Sequence, residues 1–344
     1  MKKGHKRFGQ ALVGGLVVLV LAACGAQSKS SAGTAGGSSD QDEVKILSGN
    51  YVIPSNGDTL QDTQGYLALK LAVKNTTSHK QSLSSYNITL KDSDGDKLEG
   101  ESLYSDEDGM TEISAHSLTK GETAKGYVMF KVKNKAKYTL VVEPSGASED
   151  VDKTELKLNA TKYKDNTDAP KQALKSYVNQ VFLNHKDLEY TKTVVNKSDE
   201  EAASFATQAR SFLEDAAFTT ALQQIQAENL KRGGAEYEIK LSTPTAAEIE
   251  VTPKVLNLTD AYSVISDLSS AYYEAHDDAT MDEADDAANE AFLAKFGEIL
   301  PKFPVKADSY GEDVKLVKQD GKWKIDSTTD DFQTLQKTFA GDNY

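Results

Sequence analysis

The sequence predicts a β-sandwich followed by an α+β domain, both downstream of an N-terminal secretion signal. Residues 44–163 contain short segments in which apolar and polar side chains alternate, as in strands with one buried face. Residues 168–344 combine apolar stripes of helical period with a few strands. About 300 residues behind the signal and linker exceed the usual size of one domain. We therefore expect two domains.

The first 23 residues have the composition of a lipoprotein signal peptide. A basic start precedes an apolar run from Ala11 to Leu21, which is too short to span a bilayer comfortably. The run ends in Leu-Ala-Ala23-Cys24, a small-residue cleavage site followed by cysteine, which is the lipobox pattern. We expect cleavage between Ala23 and Cys24, acylation of Cys24, and anchoring at the outer face of the cell membrane. The alternative is an ordinary secretory signal with an unrelated cysteine.

Composition restricts the sites and partners that the chain can have. Cys24 is the only cysteine of 344 residues, so neither an internal disulfide nor a thiolate metal site is expected. The formal charge is −14, and losing the four cations of the signal peptide leaves 35 Lys and Arg against 53 Asp and Glu, or −18. Such a surface repels phosphate backbones, so we expect no nucleic-acid partner. A cationic partner in the cell envelope remains open.

A flexible linker is predicted over residues 24–43, behind the lipidated cysteine. From Gly25 to Asp42 the chain is mostly Gly, Ser, Ala and Thr, with little to bury. A coil of this length has an r.m.s. reach of roughly 25 Å, enough to hold a domain just above the lipid headgroups.

Six or seven short strands separated by turns are predicted over residues 44–163, which favours an antiparallel sandwich of immunoglobulin-like type. We take the strand that ends at Asn75 to be half-buried. The apolar positions of the predicted strands are Leu67, Leu69, Leu71 and Val73; Tyr86, Ile88 and Leu90; Val128, Phe130 and Val132; Tyr138, Leu140 and Val142; and Leu156 and Leu158.

The turn Asp92-Ser-Asp-Gly95-Asp96 permits two interpretations. Alternating aspartates are found in calcium loops, but the EF-hand spacing needs Gly at the sixth position and Glu at the twelfth, which here is Leu103. The other interpretation is a hairpin with Gly95 at positive φ. Leu98 shares a face with Leu90 only if the loop has an odd number of residues, so we expect a three- or five-residue loop.

Four segments carry a resemblance to a known family. They are Leu69-Lys-Leu-Ala-Val-Lys-Asn75, the Asp-Ser-Asp-Gly turn, Leu118-Thr-Lys-Gly-Glu122 and Gly126-Tyr-Val-Met-Phe-Lys-Val132. Together they resemble an extracellular immunoglobulin-like domain of unknown function that recurs in lipoproteins of Gram-positive bacteria. That family usually has Pro where this chain has Lys120. The resemblance implies a scaffold and no catalytic residue.

Helices separated by turn residues dominate the second half of the chain. Asp168 and Asp260 are expected N-caps, and Ser198 with Glu201 and Thr280 with Glu283 read as capping boxes. A helix from about Phe218 is expected to stop at Gly233-Gly234. The expected inward stripes are Leu174, Tyr177, Val178, Val181 and Phe182; Phe205, Ala209, Phe212 and Leu213; Val264, Ile265, Leu268, Ala271 and Tyr272; Ala284, Ala288, Phe292, Phe296 and Ile299; and Phe332, Leu335 and Phe339.

A hairpin is the clearest local signal in this half. Asp320-Gly321 is typical of a type I′ turn, which pairs Leu316 with Ile325 and places Trp323 on the inward face. Pro253 favours an edge or a bulge of the strand that contains it. The hairpin resembles the closing strands of cone-shaped folds such as nuclear-transport-factor-like domains. The whole mature chain resembles uncharacterised surface lipoproteins of lactic-acid bacteria.

Residue patterns typical of catalysis or metal binding are weak. His79, His116, His185 and His276 lie in separate predicted elements, without helical metal-site spacing. Ser117-Leu-Thr-Lys120 matches the Ser-x-x-Lys pattern of penicillin-binding enzymes, but in a predicted sandwich turn and without a Lys-Thr-Gly partner. The acidic run from Glu274 to Asp286 reads either as a cation site or as a solvated helix start.

These observations favour a non-enzymatic lipoprotein without a cofactor, a binding or scaffolding module with an envelope protein or cell-wall partner. The alternative is a small-ligand or enzymatic pocket in the C-terminal cone-like domain, an inference from fold analogy. A solute receptor would need two lobes with parallel strands, a pattern that the sequence lacks.

Overall fold

The structure, a computed structural model, describes most of the chain beyond the linker. Ala23, Cys24, the signal peptide and most of the linker lie outside the described residues, as do Phe212 and Leu213. The described residues are 36–38, 42–55, 57, 60–101, 103, 109–134, 136–146, 153–209 and 218–341.

Two four-stranded antiparallel sheets form the N-terminal part, with strand orders β1-β2-β3-β8 and β10-β9-β5-β6. A separate two-stranded ladder joins β4 and β7. The expected β-sandwich is therefore confirmed. The strands are β1 (Gly36–Ser38), β2 (Asp42–Val52), β3 (Gln64–Asn75), β4 (Gln81–Ser84), β5 (Ile88–Lys91), β6 (Lys97–Leu98), β7 (Ser114–Leu118), β8 (Thr123–Lys133), β9 (Lys137–Val142) and β10 (Thr154–Asn159).

Apolar side chains from both sheets meet in one core. Leu67, Leu69, Leu71 and Val73 of β3 are all fully buried there, as the alternation predicts. The other face of β3 is buried as well, because Tyr66 and Ala68 pack with a small cluster that includes Met110. The expectation of a half-buried strand is wrong for this reason.

The loop after β5 has the length that the sequence predicts. Leu90 pairs with Leu98 and Lys91 with Lys97, which leaves the five-residue loop Asp92–Asp96, with Gly95 at φ 89°. An odd loop length is thus confirmed. Tyr86, expected in the same strand as Ile88 and Leu90, instead lies in the 3₁₀ turn Ser85–Asn87 before β5 and is 80% exposed.

Helices packed on one antiparallel sheet form the C-terminal part, so the α+β class is confirmed. The sheet order is β11-β12-β14-β15, with β13 also paired to β12. The strands are β11 (Gly234–Ser242), β12 (Ala246–Leu256), β13 (Val305–Ala307), β14 (Glu312–Gln319) and β15 (Lys322–Ile325). The helices are α1 (Ala169–Tyr177), α2 (Tyr190–Thr193), α3 (Ser198–Ala209), α4 (Phe218–Arg232), α5 (Ala261–Ala275), α6 (Met281–Ala294), α7 (Phe296–Ile299) and α8 (Asp330–Phe339).

Aromatic rings fill the space between the sheet and the helices α1, α3 and α8. A π-helical turn, Val178–Phe182, continues α1 and places Phe182 at the centre. Its ring centroid lies 4.9–5.7 Å from those of four other aromatic residues, a separation typical of favourable ring pairs. These neighbours are Tyr177, Phe205, Phe332 and Phe339.

The terminal hairpin forms as predicted. Asp320 and Gly321 both have positive φ, 50° and 84°, which a type I′ turn requires. Leu316 pairs with Ile325, and Trp323 is buried in the aromatic core.

Pro253 lies in the central strand β12, so its expected edge placement is wrong. β12 pairs with β14 up to Val251 and with β13 from Lys254. Pro253 faces the interruption between these partners, where its carbonyl accepts a hydrogen bond from the Asp308 amide. Because proline has no N–H and its nitrogen faces this interruption, the sheet loses no ladder hydrogen bond there.

Helix starts agree with the sequence at only one capping box. The Thr280 hydroxyl accepts from the Glu283 amide, and the Glu283 carboxylate accepts from the Thr280 amide. Asp168 and Asp260 occupy N-cap positions, but neither side chain caps the backbone. Ala271 of α5 is exposed, in contrast to the predicted stripe.

Backbone hydrogen bonds join the two parts of the chain directly. The Ile53 amide donates to the Ser242 carbonyl and the Ser242 amide donates to the Ile53 carbonyl, both at 2.8 Å. The Ser242 hydroxyl also donates to the Thr167 carbonyl at 2.9 Å. The end of β11 is thereby attached both to the sandwich and to the connecting segment.

Candidate functional sites

The motifs that the sequence singled out do not come together in a catalytic or metal arrangement. Within the described ranges, no three His, Cys, Asp or Glu side chains are grouped to hold a metal ion. Ser117 lies on the exposed side of β7 and Lys120 in the following turn, not at a helix start. Across the same ranges, no helix combines the length and apolar character needed to cross a bilayer.

Asn75 connects two of the segments that carry the family resemblance. Its fully buried side chain donates to the carbonyls of His79 and Leu118, both at 2.8 Å. Its backbone accepts from the Gly121 amide and donates to the Glu122 carbonyl. Gly121 has φ 86°, and the turn forms with Lys120 where the family usually has Pro. These segments therefore have a scaffold role.

A buried carboxyl lies where the linker enters the sandwich. Asp42 is the first residue of β2, pairs with Asn75 of β3 and is 1% exposed. The Gln81 amide donates to its carboxylate at 3.4 Å. Burial raises the pKa of Asp42 to about 6, and the hydrogen bond from Gln81 opposes part of that increase.

A polar network centred on Glu201 lies at the edge of the aromatic core. The Tyr177 hydroxyl donates to one carboxylate oxygen at 2.6 Å, and the Asn196 amide donates to the other at 2.8 Å. Asn196 also bonds both the amide and the carbonyl of Ile325 in β15. Burial, followed by the Glu201 carboxylate, raises the pKa of Tyr177, so its hydroxyl stays a donor.

The Glu201 network connects the helices to the sheet, and the sequence did not predict it. The expected capping box with Ser198 is wrong, because the Glu201 carboxylate turns inward to Tyr177 and Asn196 instead. Tyr177 and Ile325 lie far from Glu201 in the chain, and only the fold brings them into this network.

Carboxyl groups also cluster on the sheet, at β12 and β14. Glu250 is the direct cross-strand partner of Asp313. Burial, then repulsion from Glu250 and Asp331, raises the pKa of Asp313. Burial and neighbouring acids likewise raise the pKa of Glu312. Lys240 reaches the Glu250 carboxylate at 3.3 Å and neutralises part of this charge.

Helices α5 and α6 form a third candidate, which we call the acidic hairpin (residues 261–294). The two helices pack against each other, and Ser269 of α5 donates to the Asp285 carboxylate of α6 at 2.6 Å. The predicted acidic run spans their connection, and most of its side chains face solvent. The solvated-helix-start interpretation agrees with this position.

The family models divide the chain in the same way as the fold. A model described as domain of unknown function (DUF4352) matches residues 38–163. A second, domain of unknown function (DUF5105), matches residues 160–340, more than half of the chain. The chain belongs to the DUF5105 family. None of the curated proteins matches it in sequence.

Solved structures match all or part of this DUF5105 chain at low sequence identity. A candidate lipoprotein (ycdA) from Bacillus subtilis is 20% identical with a TM-score of 0.65, covering 88% of this chain and 97% of that one. A candidate lipoprotein from Staphylococcus aureus is 21% identical with a TM-score of 0.27, covering 37% and 90%. A functionally unknown protein from Listeria monocytogenes is 11% identical with a TM-score of 0.28, covering 37% and 83%.

The pKa of Asp42 predicts that the sandwich loses stability as pH rises. The folded-state pKa, about 6, exceeds the ordinary value of 3.8, so between these values the folded state holds the proton more tightly. The stabilisation that protonated Asp42 contributes is fully present below pH 3.8 and is lost as the pH rises from that value through about 6. Asp42→Asn should flatten this dependence in thermal unfolding followed by far-ultraviolet circular dichroism. Asp94→Asn, at an exposed position of the Asp92–Asp96 loop, is the matched control, and equal curves for both variants would contradict the assignment.

Glu201→Ala should destabilise the DUF5105 domain by about 1–3 kcal/mol, since it leaves the buried Tyr177 hydroxyl without its acceptor. Urea unfolding followed by the fluorescence of Trp323, the only tryptophan, measures this. Glu201→Gln should recover most of the loss because its amide oxygen still accepts. Glu200→Ala, on the exposed side of α3, should have no measurable effect. An unchanged midpoint for Glu201→Ala would show that the network is not structural.

Proposed function

We propose that this protein is a lipid-anchored surface lipoprotein whose two domains act as a non-catalytic binding or scaffolding module at the cell envelope. The anchor is carried by one sequence observation, the lipobox that ends at Cys24. Acyl chains contribute about 0.8 kcal/mol for each buried CH₂, so two or more chains give durable attachment. The structural neighbour from Bacillus subtilis, itself a candidate lipoprotein, agrees with this proposal.

The filled interior of the DUF5105 domain supports binding at a surface over chemistry in a pocket. A cone-like domain with an enzymatic site needs an open mouth lined by a few polar groups. Here Phe182 and its four aromatic neighbours occupy the space between sheet and helices. Glu201 has both oxygens engaged in the adjoining network. The alternative, a small-ligand or enzymatic site, would have to use groups outside this filled interior, such as the partly buried carboxyls of Asp313 and Glu312.

Loss of Cys24 should abolish acylation. Cells supplied with an alkyne-tagged fatty acid should label the wild-type chain, whereas Cys24→Ser should take up no label and should retain its leader. The matched control moves the cysteine four residues, combining Cys24→Ser with Ser28→Cys, and should also remain unlabelled. Label on either variant would refute the anchor.

Cross-linking on intact cells tests the binding half of the proposal. A lysine-reactive cross-linker, followed by mass spectrometry of the captured chain, should give the same envelope partner in repeated experiments. A wild-type chain that yields only adducts proportional to protein abundance would contradict a binding role.

A further inference from the structure

Strand β11 forms an edge of the sheet in the DUF5105 domain. Among the described strands, it pairs with β12 alone. On the far side of β12, the Pro253 carbonyl accepts from the Asp308 amide, so the odd-numbered residues of β12 direct their backbone groups away from β11. The even-numbered residues of β12 therefore point toward β11, where their register partners are Glu236 and Glu238.

The backbone groups on the outer side of β11 belong to Ala235, Tyr237 and Ile239. Successive residues of a strand direct their amides and carbonyls to opposite sides, so these three residues alternate with Glu236 and Glu238. No described residue forms a backbone hydrogen bond with the three outward residues. An edge with unpaired amides and carbonyls is a template on which another strand can pair.

The same side of β11 already accepts one extended segment of this chain. Beyond the bulge between Ile239 and Leu241, the amide and carbonyl of Ser242 both bond to Ile53 in an antiparallel bridge. Strand β2 ends before this bridge, and the next residue, Pro54, has no N–H to donate. A further strand on β11 would therefore continue an interface that the fold already uses.

Side chains on the solvent face of β11 are acidic. Glu236 and Glu238 are both exposed there, and Lys240 compensates part of their charge through an ion pair with Glu238 at 3.0 Å. Residues directly opposite each other on neighbouring strands interact, and opposite charges are favourable. Lys or Arg is therefore the favoured residue opposite each of these glutamates.

The other face of β11 has the opposite preference. Tyr237 and Ile239 pack against the aromatic core on this face, and the Lys175 ammonium lies 5.3 Å from the centroid of the Tyr237 ring. A cation opposite Tyr237 would meet the charge of Lys175, whereas an apolar side chain would extend the packing of the core. The two faces together favour a strand in which basic and apolar residues alternate.

We propose that the outer edge of β11 binds, as an antiparallel strand, an extended polypeptide segment in which Lys or Arg alternates with apolar residues. This inference rests on the proposed binding function and names its partner class. Backbone bonds to Tyr237 and Ile239 hold such a segment, and the alternating side chains give specificity.

A second copy of β11 fits this edge less well than a basic segment. Antiparallel pairing could place Tyr237 opposite Ala235, Tyr237 or Ile239 of the other copy. Each of these three registers places a glutamate, Glu236 or Glu238, directly opposite another glutamate. Like charges in direct cross-strand positions are destabilising.

The test measures binding of a short fluorescent peptide of alternating lysine and valine to the full chain in detergent, by fluorescence anisotropy. In an antiparallel pair the valine amides face β11 and the lysine amides face solvent. N-methylation at the valines should therefore abolish binding, whereas N-methylation at the lysines should leave it intact. Equal affinities for the two methylated peptides would overturn the proposal.

Two pairs of variants separate the edge from the overall charge. Glu236→Gln with Glu238→Gln should weaken binding about two- to thirty-fold, as expected for two cross-strand charge pairs. Asp94→Asn with Glu99→Gln removes the same charge from exposed positions of the sandwich and should leave the affinity unchanged. Equal losses in both would show that net charge alone binds the peptide, against the proposal. Unchanged Trp323 fluorescence verifies folding in each variant.

Amide hydrogen exchange locates the bound peptide on the chain. The outward amides of Tyr237 and Ile239 should gain protection when the peptide is added, whereas those of Glu236 and Glu238, which face β12 in both states, should not change. Unchanged exchange at Tyr237 and Ile239 under saturating peptide would refute binding at this edge. These readouts do not depend on acylation, so a failure of the anchor at Cys24 would be seen separately.

Discussion

The packing of aromatic rings around Phe182 is the constraint on which the second half of the molecule depends. This ring lies on a π-helical turn and touches rings from α3 and α8 as well as Tyr177 of α1. Buried aromatic residues contribute the largest apolar areas to a core. Because the rings meet between helices and sheet, they fix three helices at once and leave the centre filled.

The sandwich has a corresponding polar constraint at Asn75. Its side chain closes one loop onto β7, and its backbone holds the Gly121 turn. Asp42 lies beside it, at the point where the linker joins the fold. At the opposite end of β2, Ile53 forms its paired backbone bonds with Ser242. One long strand therefore connects the linker end of the sandwich to the second domain.

Local patterns predict local structure well here, because side-chain period and turn chemistry act over a few residues. The Asp320-Gly321 hairpin, its register and the five-residue Asp92 loop follow from such rules. Contacts between distant segments were not predictable. Glu201 fits a capping box by sequence, yet the distant Tyr177 hydroxyl takes its carboxylate. Asp313 likewise meets Glu250 only through strand pairing, so the candidate sites depend on tertiary structure.

The two groups of carboxyls in this molecule, on the sheet and in the acidic hairpin, differ in how far nearby cations compensate their charge. At β12 and β14, burial and neighbouring acids raise the pKa of Glu312 and Asp313, and Lys240 lies near the Glu250 carboxylate, so the charge there is partly compensated in place. In the acidic hairpin the carboxylates face solvent in a segment that has no cationic residue. Structural carboxyls need partners within the fold, whereas uncompensated solvent-facing ones are free to attract a ligand of opposite charge.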